Sequence, residues 1–172
     1  MDYWPNVDAV TWFATAVMPR IAEAVPQARF YIVGMNPTAT VSALAGPRVA
    51  VTGKVDDVRP YVQHAKVAVA PLRMARGVQN KVFEAMAMAR PVVVSSAVAQ
   101  GIHAAPLSEF DVAGDAREFS RKVVALMAPA LGDEMGQQAR RRVVNDYDWD
   151  ARLAKFGELL EAVPAAQMAR AG

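Results

Sequence analysis

Residues 76–96 read RGVQNKVFEAMAMARPVVVSS, and this stretch decides what kind of fold the chain adopts. A polar loop around Gly77 leads into an alanine- and methionine-rich segment, about Gln79 to Ala89, whose apolar side chains recur at steps of three and four. That periodicity describes a helix. After Pro91 comes a run of valines with no polar alternation, the pattern of a strand buried on both faces of a parallel sheet.

Working outward, ARFYIVG (28–34), RVAVTG (48–53) and KVAVAPL (66–72) supply three earlier strands, and EFDVA (109–113) a fifth. Between them lie helical stretches. From Asn6 to Val25 the residues Val7, Val10, Phe13, Ala14, Val17, Ile21 and Val25 fall on one helical face, with Asn6 as the expected N-cap and a kink expected at Pro19. PTATVSALA gives a short helix, another begins near Asp56 or Asp57, and three more are expected at Ala116 to Met127, Asp133 to Asp146 and Trp149 to Val163. On this face assignment Val82, Phe83, Met86 and Ala87 turn toward the sheet. Strands alternating with helices predict an α/β fold, a doubly wound Rossmann-like parallel sheet. One domain over residues 1–163 is expected, with residues 164–172 as a disordered tail.

Composition narrows the function classes. The 172 residues are 53% hydrophobic with a formal net charge of +2. There is no cysteine, which excludes disulfides and thiolate metal sites. His64 and His103 are the two histidines, and neither belongs to a cluster of acids, so no metal site is expected. The triplet Arg140, Arg141 and Arg142 lacks interleaved aromatics or glycines and reads as a solvated helix face, so nucleic acid is not an expected partner. No apolar run approaches the ~20 residues that span a bilayer. A cytoplasmic location is expected.

In such sheets ligands bind outside the carboxyl ends of the strands, so the loops of interest are GMNPT, GKVDD, PLRMARGVQN and SSAVAQG. The turn RGVQN sets Gly77 before a helix start where free N–H groups and Lys81 converge. Such a place either binds an anion, most naturally a phosphate, or is an ordinary helix start capped by Asn80. Glu84 shares a helix side with Asn80 and Lys81. It is either a carboxylate that accepts from a ribose diol or an exposed glutamate paired with Lys81. Neither GxxxxGK[ST] nor GxGxxG occurs.

The unit VFEAMAMARPVV, preceded by VTGKVDDVRPYVQHAKVAVAP and a strand ending in APLR, resembles the carboxyl-terminal domain of GT-B fold group 1 glycosyltransferases. DYWPNVDAVTWFATAVMPRI together with RGVQNKVFEAMA is most similar to the bacterial exopolysaccharide-associated sugar transferases of that group. The resemblance implies a retaining transfer of a sugar from a nucleoside diphosphate sugar to a saccharide or lipid-linked acceptor, in exopolysaccharide or cell-surface glycan synthesis, without a cofactor. It implies that Glu84 takes the ribose hydroxyls. The backbone amides of Gly77, Val78, Gln79 and Asn80 would face the sugar and diphosphate, and Gly53, Lys54 and Val55 would border the base. Lys81, with Arg76 or Arg73, would stabilise the departing diphosphate. It also implies a separate amino-terminal acceptor-binding domain, through which the protein would meet the inner membrane peripherally, and an isolated domain that is inactive.

Two departures from the family pattern stand out. The acid usually found eight positions before Glu84 is replaced by Arg76, and a guanidinium donates hydrogen bonds where a carboxylate accepts them. The opening MDYWPN also lacks the basic residues expected there. Two other readings remain: a nucleotide-sugar epimerase using His103 after Gly101, or a non-enzymatic α/β interaction module. A receiver-type module would need an aspartate at a strand end, whereas the strands end at Gly34, Gly53, Pro71 and Ser95.

Overall fold

A computed structural model describes residues 2–75, 77, 79–102 and 108–146. Arg76, Val78, His103, the expected helix from Trp149 to Val163 and the tail at 164–172 lie outside the described residues. Helix α1 (Trp4–Trp12) continues through a π turn (Phe13–Val17) into α2 (Met18–Ala24). Then follow β1 (Phe30–Val33), α3 (Ala39–Ser42), β2 (Val49–Gly53), α4 (Arg59–His64) and β3 (Ala68–Ala70). The second half comprises α5 (Asn80–Ala87), β4 (Val92–Ser95), α6 (Ser96–Ala99), β5 (Asp111–Ala113), α7 (Ala116–Leu126) and α8 (Pro129–Asp146).

All strand pairs are parallel, in two ladders: β1 with β2, and β3, β4 and β5 in that order. The run around Val93 is covered on both faces, as expected. Val92 and Val94 join one core cluster with Val82, Ala85 and Met86 of α5 and Ala139 of α8. Val93 joins another with Ile21 of α2 and Phe119 and Val123 of α7. Val41 of α3 closes a third cluster with Ile32 and Val49, against which Val7 and Val10 of α1 pack. The fold is the Rossmann-like parallel α/β arrangement read from the strand–helix alternation.

Several local expectations change. Tyr3, not Asn6, is the N-cap of α1, with no side-chain cap bond, and Pro5 occupies the first turn. Before Pro19 the helix widens into the π turn, in which the Met18 N–H donates to the Phe13 carbonyl. Proline has no N–H and its ring crowds the carbonyl four residues back, so a wider turn relieves both problems. Helix α4 begins at Arg59, whose N–H donates to Asp57 at 2.9 Å. The loop SSAVAQG contains α6, capped by Ser95. On α5, Val82 and Met86 are buried as expected, and Ala85 is buried where Ala87 is expected to be.

Helix α5 ends in a tight reversal. The Arg90 N–H donates to the Ala85 carbonyl at 3.0 Å and the Ala89 N–H to the Met86 carbonyl at 2.9 Å. This is a Schellman motif with Ala89 in the left-handed region at φ 55, a place usually given to glycine. Helix α8 packs directly on that reversal. A Cβ at Gly136 would lie 2.2 Å from the Ala89 carbonyl oxygen, and an Arg140 N–H donates to the Ala87 carbonyl. At the other end of the sheet, Lys122 donates to Asp111 at 2.8 Å and lies 3.0 Å from Glu118, which accepts from the Gly114 N–H at 2.8 Å. The Gly114 bond, and then Lys122, hold the Glu118 carboxyl below its ordinary pKa.

Substituting Gly136→Ala should destabilise the protein by about 1–3 kcal/mol through overpacking, while Ala89→Gly should stabilise it by roughly 0.5–1 kcal/mol by relieving the left-handed alanine. Urea denaturation curves of the two variants check both signs. Because the Glu118 pKa is depressed in the folded state, its contribution is present above the unfolded value of 4.5 and lost as pH falls below it. Glu118→Gln should therefore flatten the stability change between pH about 6 and about 3, measured as the shift in denaturation midpoint.

Candidate functional site

The carboxyl ends of β3 and β4 are joined by polar ties that the sequence did not reveal. The buried Ser95 hydroxyl at the end of β4 donates to the Leu72 carbonyl just past β3, and it accepts from the Val98 N–H at 3.3 Å as the cap of α6. One short side chain thus fixes two loops. Gly101 then returns against the β3–α5 loop so closely that a Cβ there would meet the Gly77 carbonyl oxygen at 2.7 Å. Gly77 itself has φ 68, a left-handed conformation that glycine adopts without strain.

The first turns of α1 lie against the same loop. Lys81 Nζ donates to Asn6 Oδ1 at 2.8 Å. Arg73 Nε donates to Asp8 Oδ2 at 2.9 Å, and a second Arg73 N–H donates to Asp8 Oδ1. Between these elements is a cleft of about 180 Å³ lined by Tyr3, Pro5, Asn6, Leu72, Met74, Ala75, Gln79 and Lys81. Crowding by the surrounding protein lowers the Lys81 pKa from 10.5, and the attraction of Glu84 offsets part of that shift. Lys81 is an exposed residue that lines the cleft, with its ammonium bonded to Asn6.

The residues singled out in the sequence separate into groups. Lys81 and Gln79 line the cleft, and Asn80 opens α5 beside them. Asn80 is not the cap expected of an ordinary helix start. Gln79 occupies the cap position, with no side-chain cap bond. Glu84 lies one turn further along α5, exposed, and is not among the cleft residues. Because the Lys81 ammonium bonds to Asn6, it does not form the expected ion pair with Glu84. Among the described residues no hydrogen bond or ion pair engages the Glu84 carboxylate. Gly53, with φ 67, and Lys54 and Val55 sit at the carboxyl end of β2, in the other ladder and away from the cleft lining.

Arg73, offered with Arg76 as a donor to a departing diphosphate, is neutralised by Asp8. Of the arginine triplet, Arg140 and Arg141 are exposed, as expected of a solvated face, and Arg142 is half-buried. Arg140 donates to the Ala87 carbonyl, Arg141 to its own helix at Gln137, and Arg142 Nε lies 3.7 Å from Glu109. Tyr3 and Asn6 also line the cleft, a contribution that a helix starting only at Asn6 does not predict. Their presence beside a proline at a helix start was the available signal.

Replacing Ser95 by alanine should cost about 1–2 kcal/mol, from a lost cap and an unpaired Leu72 carbonyl. Chemical denaturation measures the loss. Proteolysis of the β3–α5 loop should become faster in the same variant.

Comparison with known proteins places the fold. No curated protein matches the chain. The structure of sucrose-phosphate synthase from Thermosynechococcus elongatus is similar, with a TM-score of 0.71 at 22% identity, over 92% of this chain and 43% of that one. HepE of Anabaena in complex with UDP gives a TM-score of 0.73 at 14% identity, over 86% of this chain and 44% of that one. S. aureus TarM, in a complex that includes UDP, gives 0.73 at 17% identity, over 89% and 32%. The chain thus spans less than half the length of these structures. The sequence model of the family described as Glycosyl transferases group 1 matches residues 1–129, three quarters of the chain, and the protein belongs to that family.

Proposed function

We propose that this chain is the donor-nucleotide domain of a glycosyltransferase that moves a sugar from a nucleoside diphosphate sugar to a saccharide or lipid-linked acceptor. One observation carries the reading: α5 offers the Lys81 ammonium at the cleft and, one turn on, a Glu84 carboxylate that makes no hydrogen bond or ion pair among the described residues. An ammonium beside a glycine loop suits a diphosphate, and an unengaged carboxylate suits a ribose diol. That two of the similar structures hold UDP supports the same assignment.

In this reading Glu84 accepts from both ribose hydroxyls, and the amides of Gly77 to Asn80 with Lys81 meet the diphosphate. Gly53, Lys54 and Val55 border the base, and Arg76 replaces the acid that the family carries eight positions before Glu84. No metal ion is required, because preorganised donors offset the charge of the leaving diphosphate. Acceptor contacts come from an amino-terminal domain, and this domain alone does not turn over. Retention at the anomeric carbon, a place in exopolysaccharide or cell-surface glycan synthesis, and peripheral contact with the inner membrane complete the proposal. Among the described residues no helix is long and apolar enough to cross a membrane.

Calorimetric titration with UDP, GDP and ADP tests the donor site. One of the three should bind the chain at millimolar concentration or tighter. Glu84→Ala should weaken that binding by roughly 1–3 kcal/mol, the usual loss of a charge-assisted hydrogen bond, with the melting temperature unchanged. Glu84→Gln should lose less. No binding of any of the three to the intact chain, or equal losses of binding and thermal stability in the alanine variant, would remove Glu84 from the site.

A further inference from the structure

Lys81 and Glu84 stand three residues apart on α5. That spacing sets two side chains side by side on one flank of a helix, where an ammonium and a carboxylate pair. Of the influences on the Lys81 pKa, crowding comes first and lowers it, and the Glu84 charge raises it in part, so the two groups lie within each other's field. The pair nevertheless stays open. Lys81 Nζ donates to Asn6 Oδ1 at 2.8 Å, on a residue 75 positions earlier in the chain. The Glu84 carboxylate makes no hydrogen bond or ion pair among the described residues.

Relative fixity decides between the two acceptors. A carboxylate attracts an ammonium more strongly than a neutral amide does. Glu84 is exposed, however, and an exposed pair of long side chains gains little after screening and lost rotamer freedom. Asn6 is half-buried in the first turn of α1, where its N–H donates to the Tyr3 carbonyl at 2.9 Å. The helix around it is pinned: Ala9 belongs to one core cluster, Val7 and Val10 pack against another, and Asp8 bonds to Arg73. Tyr3 occupies the cap position, so the Asn6 amide has no capping duty and its oxygen serves α5. A short, preplaced acceptor thus wins over a stronger one that must be ordered first. Asp8 holds Arg73, the other described cation between β3 and Glu84. Helix α1 takes both cations and leaves the carboxylate open.

We propose that Asn6 is a positioning residue of the donor site, one that holds the Lys81 ammonium at the cleft and thereby keeps the Glu84 carboxylate available to a diol. The identity of that diol rests on the nucleotide reading, whereas the separation of the two charges stands on α1 and α5 alone. Three substitutions divide the role. Asn6→Ala removes the acceptor, so Lys81 turns back along its own helix and occupies Glu84. Asn6→Asp keeps the ammonium in place and cancels its charge. Asn6→Gln retains a neutral acceptor and should retain most of the function.

Nuclear Overhauser contacts of the Lys81 ε-methylene, recorded on the 172-residue chain without nucleotide, test the separation. The parent chain should show contact with the Asn6 β protons and none with the Glu84 γ protons. In Asn6→Ala the Glu84 contact should appear. A Lys81–Glu84 contact already present in the parent, or absent from folded Asn6→Ala, overturns the separation.

The consequence for binding is read from whichever of UDP, GDP or ADP binds, titrated beside its 2′,3′-dideoxy form. The dideoxy form should bind the parent at least about tenfold more weakly, the loss of hydrogen bonds to a charged acceptor. That ratio should fall to about one in Asn6→Ala. Adding Lys81→Met to Asn6→Ala should raise it again to within about threefold of the parent, although the diphosphate itself binds less well, because no ammonium remains to occupy Glu84. A ratio that persists in Asn6→Ala, or that Lys81→Met does not restore, overturns the positioning role. A parent ratio near one removes the diol from Glu84 and with it the nucleotide reading, and the Overhauser contacts then decide the role of Asn6. Should Asn6→Ala fail to fold, Asn6→Asp takes its place: a preserved ratio with diphosphate binding weakened several-fold supports the role, and unchanged diphosphate binding overturns it.

Discussion

Burial of β4 on both faces is the constraint from which the rest follows. A strand with no solvated face must satisfy its backbone through neighbouring strands, and parallel neighbours require helical returns. Every return begins at the same edge of the sheet. The segments at the ends of β2, β3 and β4 therefore collect at that edge, where Gly53 ends β2, Gly77 stands in the β3–α5 loop and Gly101 follows α6. The location of the candidate site is thus a result of the valine run at 92–94 as much as of the polar residues that occupy it.

Within that edge, small polar groups set the geometry. Ser95 spans two loops, Asn6 takes the Lys81 ammonium, and Asp8 takes Arg73. Each tie uses a side chain that would otherwise point into solvent or toward a ligand. The result sorts the cations: Arg73 is spent on structure, whereas Lys81 is held by a neutral amide and keeps its charge. A neutral acceptor leaves the field of a cation intact, and an acidic one cancels it.

The strands and most helices were legible because they are regular and strongly patterned. PVVVS and KVAVAP carry their own period, and the alternation of elements identifies the fold class without any tertiary information. What escaped was relational. That α8 lies against the end of α5, with Gly136 beside the Ala89 carbonyl, is in no local pattern. The bond from Ser95 to Leu72 spans 23 residues, and the Lys81–Asn6 bond spans 75. Glu84 was found from its helix phase, but its lack of a partner followed only once Lys81 was seen to turn toward Asn6. The split into two ladders was equally invisible, since pairing partners are chosen by space and not by sequence distance.

The π turn at 13–17 separates two helical segments with different obligations. Val7 and Val10 before it serve the β1–β2 cluster, whereas Met18 and Ile21 after it serve the cluster beneath α7. A π turn is in effect one residue inserted into a regular helix, and each helical residue rotates the chain by roughly 100°. Losing that residue would restore an unbroken hydrogen-bond pattern while turning one segment's apolar side away from its cluster. The irregularity therefore works as a phase adjuster: local regularity is given up so that a single continuous helix can serve two separate core clusters.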